Sequence, residues 1–82
     1  MSYIESVTWA NHVARMARVV TAGLYDEYIS VYSRIYDERI PDPFEVGNMA
    51  EAVISDECKV VASAEVCHKH GLDQYEEEEE EE

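Results

Sequence analysis

Residues 24–39 read LYDEYISVYSRIYDER, and this stretch decides the fold. Wound at 3.6 residues per turn, Leu24, Tyr28, Val31 and Ile35 form one apolar arc, with Tyr25, Ile29, Tyr32 and Tyr36 beside it. Asp26, Glu27, Ser30, Ser33, Arg34, Asp37 and Glu38 take the opposite side. That segregation has a helical period, not the alternation of a strand. Ile40-Pro41-Asp42-Pro43 closes the segment, because a proline disfavours helix in the residue before it. A helix with so wide an apolar arc needs partners, and the chain offers one on each side.

On the N-terminal side, Ser2 followed by Glu5 is a capping-box pattern that predicts a helix beginning near Tyr3. Trp9, Val13, Met16 and Val20 fall on one stripe, flanked by Ala10, Ala14 and Ala17, with Val7 beyond. Glu5, Thr8, Asn11, His12, Arg15 and Arg18 fall mostly opposite, so His12 reads as a surface histidine. Gly23 is placed to end this helix as its C′ residue.

On the C-terminal side, Asp42 suits an N-cap, with Pro43 at N1 and Glu45 at N3. The helix so started runs to His70, where Gly71 offers a stop and Leu72 a hydrophobic cap contact. Met49, Ala50, Val53, Val60, Val61, Ala64 and Cys67 form its expected inner face. Glu45, Glu51, Asp56, Lys59, Glu65 and Lys69 point outward. Glu57 conflicts, because it projects onto the apolar arc. It needs an arginine from another helix, or the helix must break at Ser55-Asp56. Without Gly or Pro at that point, one continuous helix is expected. The expected fold is an all-α three-helix bundle over residues 1–74, followed by a disordered polyglutamate tail over 75–82.

The chain has 82 residues, of which 46% are hydrophobic, so one small domain with a real core is expected. No apolar stretch reaches the length of a membrane span, and Arg15 and Arg18 interrupt the longest one. No basic start leads into an apolar core, which argues against a secretory signal. On one helix Cys58 and Cys67 would lie about 13.5 Å apart on opposite faces, too far for a mutual disulfide. Reduced thiols and a cytoplasmic setting are the expectation.

Charge is unevenly spread. The net charge of −13 divides into −1 over residues 1–40, −5 over 41–75 and −7 in the closing run Glu76, Glu77, Glu78, Glu79, Glu80, Glu81 and Glu82. Seven adjacent carboxylates cannot be buried, and in a helix they would repel at i,i+4. Extended, the run reaches ~24 Å, with charges about 3.4 Å apart, close to the phosphate spacing along one DNA strand. A basic, nucleic-acid-binding protein surface is the natural complement. Direct binding to nucleic acid is not, because both are anionic.

Catalytic and metal motifs are missing. No Gly-rich phosphate loop, nucleophile elbow or zinc-type cysteine pairing occurs. Asp56 and Glu57 diverge by roughly 100° on a helix, so they do not face one substrate. Cys67, His68 and His70 are the densest set of potential ligands, yet the helical pair Cys67 and His70 alone does not close a structural site. No cofactor or metal is expected. Tyr25, Tyr28, Tyr32 and Tyr36 make a ridge that either lines the bundle or serves as a binding surface, tyrosine being frequent at hot spots. The wide arcs holding Trp9, Met16 and this ridge suggest that a further surface is covered, most simply in a homodimer.

A short, acidic, tyrosine-bearing helical chain ending Tyr75-Glu76-Glu77-Glu78 resembles the small phage DNA mimics that block restriction, the Ocr-like inhibitors, and some anti-CRISPR proteins. The resemblance covers composition and the last eight residues. It implies carboxylates standing where duplex phosphates would lie, in the DNA groove of a host enzyme. Arg15, Arg18, Arg34 and Arg39, read as exposed, depart from that pattern, so mimicry is expected of Glu45, Glu51, Asp56 and Glu65 together with the tail. The alternative is a helical interaction module that uses the tyrosine face, with a tail that only aids solubility.

Overall fold

The computed structural model describes residues 4–39 and 48–73. Three helices make up the fold: α1 (Ser6–Thr21), α2 (Tyr25–Glu38) and α3 (Asn48–Lys69), with no strand among the described residues. This is an all-α three-helix bundle. α2 runs antiparallel to its neighbours, and α3 lies in the groove between α1 and α2, which touch each other far less than either touches α3.

Glu5 itself occupies the N-cap of α1. Its backbone is extended (φ −54°, ψ 142°), its carbonyl accepts the Trp9 N–H at 2.9 Å, and its side chain makes no cap bond. The helix therefore starts at Ser6, three residues after the predicted Tyr3. Ser2 of the capping box lies outside the described residues, as do Asp42, Pro43 and Glu45 of the predicted α3 start.

The two glycine stops are as predicted. Gly23 has φ 74°, its N–H reaches the Val20 carbonyl at 3.0 Å, and the Leu24 N–H reaches that of Val19 at 2.9 Å. Gly71 (φ 71°) repeats the pattern, with Gly71 N–H to His68 at 3.3 Å and Leu72 N–H to Cys67 at 2.7 Å. Both are Schellman motifs. In each, the following leucine packs against the core, so the cap bond and the hydrophobic contact fix the chain's exit together.

The core consists of Val19, Tyr28, Ile35, Cys58, Ala62, Val66 and Cys67, with Met16, Leu24, Val31, Tyr32, Tyr36, Ile54 and Leu72 packed around it. α2 presents the arc read from its sequence. α1 does not. Val13 and Val20 are more than half exposed, while Val19 and His12 are buried, a rotation of roughly 70° from the expected stripe at 100° per residue. The cause lies on α3, whose Ser63 supplies a polar partner that turns His12 inward.

α3 also differs from its projection. Ala50 and Val61 are exposed, whereas Cys58, Ala62, Ser63 and Val66 are buried. A helix between two neighbours buries two faces, so a single inner arc does not describe it. Cys58 turns to α2, beside Tyr36 and Arg39, and Cys67 turns to α1, its Sγ 3.6 Å from the Arg15 carbonyl. Neither thiol is in a disulfide, and the two are buried on opposite faces of α3. The helix is unbroken through Ser55-Asp56, and Glu57 lies 3.6 Å from Arg39, the inter-helix arginine that its position required.

Candidate functional site

Regular spacing along α2 builds the most ordered group of side chains. Tyr25, Tyr28, Tyr32 and Tyr36 recur every three or four residues, so their rings stand one above another. Ring centroids are 5.9 Å apart for Tyr25–Tyr28, 6.4 Å for Tyr28–Tyr32 and 5.8 Å for Tyr32–Tyr36. The ladder runs along the α2–α3 seam, graded in exposure. Tyr28 is 6% exposed and Tyr25 50%, with Tyr32 and Tyr36 half-buried.

The hydroxyls find partners on α3. Tyr32 Oη lies 2.9 Å from Ser55 Oγ, and the Tyr36 hydroxyl donates to Glu51 Oε1 at 3.3 Å. Burial pushes the Tyr28 hydroxyl up to about 12, with Tyr32 and Tyr25 adding to it. Tyr36 is raised as well, by desolvation first and then by the Glu51 carboxylate. Tyr28 and Tyr36 therefore stay neutral phenols in ordinary buffers. Outside the seam, Tyr25, Tyr28, Ile29, Tyr32 and Lys59 line an open depression of about 190 Å³.

The acidic residues of α3 do not form one row. Glu51 and Glu65 flank the edge that faces α2, whereas Asp56 projects roughly 140° from Glu51. Each is engaged within the body. Glu51 accepts from Tyr36, Glu65 meets Arg34 at 2.6 Å, and Asp56 lies 3.8 Å from Lys59. Glu45, Tyr75 and Glu76–Glu82 lie outside the described residues.

The other sequence candidates diverge. Cys67 faces α1, His68 Nδ1 lies 3.4 Å from Asp73, and His70 Nε2 lies 2.9 Å from Glu27. Among the described residues no three His, Cys, Asp or Glu side chains gather closely enough to hold a metal ion. Glu27 is held below the usual carboxylate range, chiefly by the His70 bond, with Lys69 at 3.3 Å also lowering it. This contact ties the end of α3 to the start of α2.

One pair escaped the sequence reading. His12, expected at the surface, is buried, with Nδ1 2.9 Å from Ser63 Oγ and its ring 4.7 Å from that of Trp9. The Ser63 hydroxyl donates to the Val60 carbonyl at 3.0 Å, so the imidazole must donate from Nδ1. Desolvation lowers the His12 pKa, and Lys59 and Arg15 lower it further against a smaller opposing effect of Asp56. With Ser63 wholly buried and its proton on a backbone carbonyl, the pair is a clip between α1 and α3 rather than a nucleophile and base. The available signal was Ser63 itself, a small polar residue inside the apolar run of α3.

No helix among the described residues is long and apolar enough to cross a membrane. Compared with protein-family models, curated proteins and solved structures, the chain matches none of them.

Proposed function

We propose that this chain is an inhibitor that occupies the basic nucleic-acid-binding surface of a host DNA-processing or defence enzyme in the bacterial cytoplasm, as a phage-encoded anti-defence protein would. Glu76–Glu82 is its main contact, and Glu51, exposed and facing the Tyr36 hydroxyl, adds a carboxylate from the body. The observation that carries the reading is where the body's own cations stand. The four Lys and Arg side chains from Arg34 onward already face carboxylates of the body: Arg34 with Glu65, Arg39 with Glu57, Lys59 with Asp56 and Lys69 with Glu27. Arg15 and Arg18 of α1 are half-buried and engaged as well, against seven glutamates in the tail. A tail that merely shielded its own protein would have little to shield, so its charge is directed outward.

The test is retention from bacterial lysate by the full chain and by a chain lacking Glu76–Glu82, at low and high salt, followed by elution with duplex DNA. The full chain is expected to retain a DNA-binding protein that DNA displaces, and truncation or salt to reduce retention at least roughly tenfold. Equal retention by the truncated chain in both buffers would refute the proposal.

A second reading has one observation in its favour. Tyr25 and Ile29 are exposed beside the depression at Tyr28, Tyr32 and Lys59, a surface suited to an apolar anchor. If that face binds the target, Tyr25→Ala with Ile29→Ala abolishes retention, and loss of the tail does not.

A further inference from the structure

The outer face of α1 is apolar and carries no acidic residue. Val7, Val13 and Val20 are 71%, 55% and 58% exposed, and Ala10, Ala14 and Ala17 fill the surface between them. Arg15 and Arg18, the only Lys, Arg, Asp or Glu residues in α1, are half-buried; Arg15 projects to the other flank, and Arg18, one turn from Ala14, stands at the edge of the face. The same face continues past the helix end into an open depression of about 310 Å³, lined by Ala17, Arg18, Thr21, Ala22 and Leu72.

We infer that this face is covered by a second copy of the chain, with two α1 helices packed antiparallel across a two-fold axis at Ala14. Charge selects the occupant. At net −13, the chain repels nucleic acid and anionic membranes, and two copies repel each other wherever their carboxylates meet. Among the described helices, α1 alone offers an outer face through which copies approach without opposing acids. Shape also fits. Val7 projects at one end of the face, and the depression opens at the other. Both lie about 10 Å along the helix from Ala14. A two-fold axis there seats each Val7 against the partner's depression, the self-complementarity that an isologous interface requires. Alanines at the crossing let the axes approach to about 8 Å. One helix pair buries less than the ~1,200 Å² of a standard interface, so the dimer is weak and reversible.

The interface stands apart from the proposed target and differs from it in salt dependence. Screening relieves repulsion between two acidic copies, so salt strengthens the dimer while it weakens capture of a cationic receptor. Sedimentation equilibrium of the full chain is expected to show mass rising from 9.4 kDa toward twice that value with concentration, more steeply at high salt. Ala14→Glu, at an exposed position, is expected to weaken association roughly tenfold or more by opposing two carboxylates at the axis, with helicity unchanged by circular dichroism. Because Cys58 and Cys67 are buried, Ala14→Cys introduces the accessible thiol for a disulfide test. It should yield a cross-linked dimer on mild oxidation, whereas Ser30→Cys on the outside of α2 should not. A constant mass at all concentrations overturns the inference. So does a folded Ala14→Glu chain that dimerises normally, or cross-linking by Ser30→Cys as efficient as by Ala14→Cys.

Discussion

His12 shows how one side chain links sequence, packing and pH. Burial between α1 and α3 lowers its proton affinity below that of the unfolded chain, with Lys59 and Arg15 acting in the same direction. The unfolded state therefore takes up the proton first, and stability is fully present above the ordinary histidine pKa of about 6.5. It declines as pH falls from there through the lowered folded value. Urea midpoints are expected to drop between about pH 7.5 and pH 5.5, and His12→Gln to flatten that dependence. A wild-type profile no steeper than that of the variant would exclude the clip as its source. Ser63→Ala strands the buried Nδ1–H, which costs about 1–3 kcal/mol. Gly23→Ala is different in kind. Nothing lies within 4 Å of an added Cβ, so the expected loss of about 1–2 kcal/mol comes from φ +74° alone.

At the scale of the element, α2 separates two uses of one residue type. Tyr28 is a core residue and Tyr25 is half outside, although they are ring neighbours. Tyr28→Ala should cost about 3–5 kcal/mol in chemical denaturation, the usual loss for a large buried ring, and Tyr25→Ala less than about 1 kcal/mol. Comparable losses would mean that the ladder acts as one cooperative unit. The α2 arc was legible because α2 sits on one side of α3 and buries one face. α3 was not, because a helix between two neighbours spreads small buried residues around its circumference, and no single projected arc captures them.

For the whole molecule, net charge dominates. Residues 76–82 concentrate −7 in a chain of −13, and like charges gathered on a compact body oppose folding. Removing Glu76–Glu82 is expected to leave the melting temperature equal or higher at low salt, and added salt should stabilise the full chain more than the truncated one. A clear fall in melting temperature on truncation would show that the glutamates contribute to folding. The internal pairing of Arg34, Arg39, Lys59 and Lys69 with carboxylates of the body was not legible. Which arginine meets which glutamate depends on helix rotation, and only Glu57 announced its need in advance.

The amino-acid sequence by itself determined that this protein is three helices, where α1 and α3 stop, and that charge accumulates toward its end. Those properties are local: apolar periodicity, Gly23 and Gly71 in the left-handed region, and a count of ionisable groups. Only the tertiary structure decided how each helix is rotated. Rotation buried His12 on Ser63, exposed Val13 and Val20, and set Cys58 and Cys67 against different neighbours. A helix's rotation minimises the free energy of contacts between segments distant along the chain, and no window of one segment contains both partners.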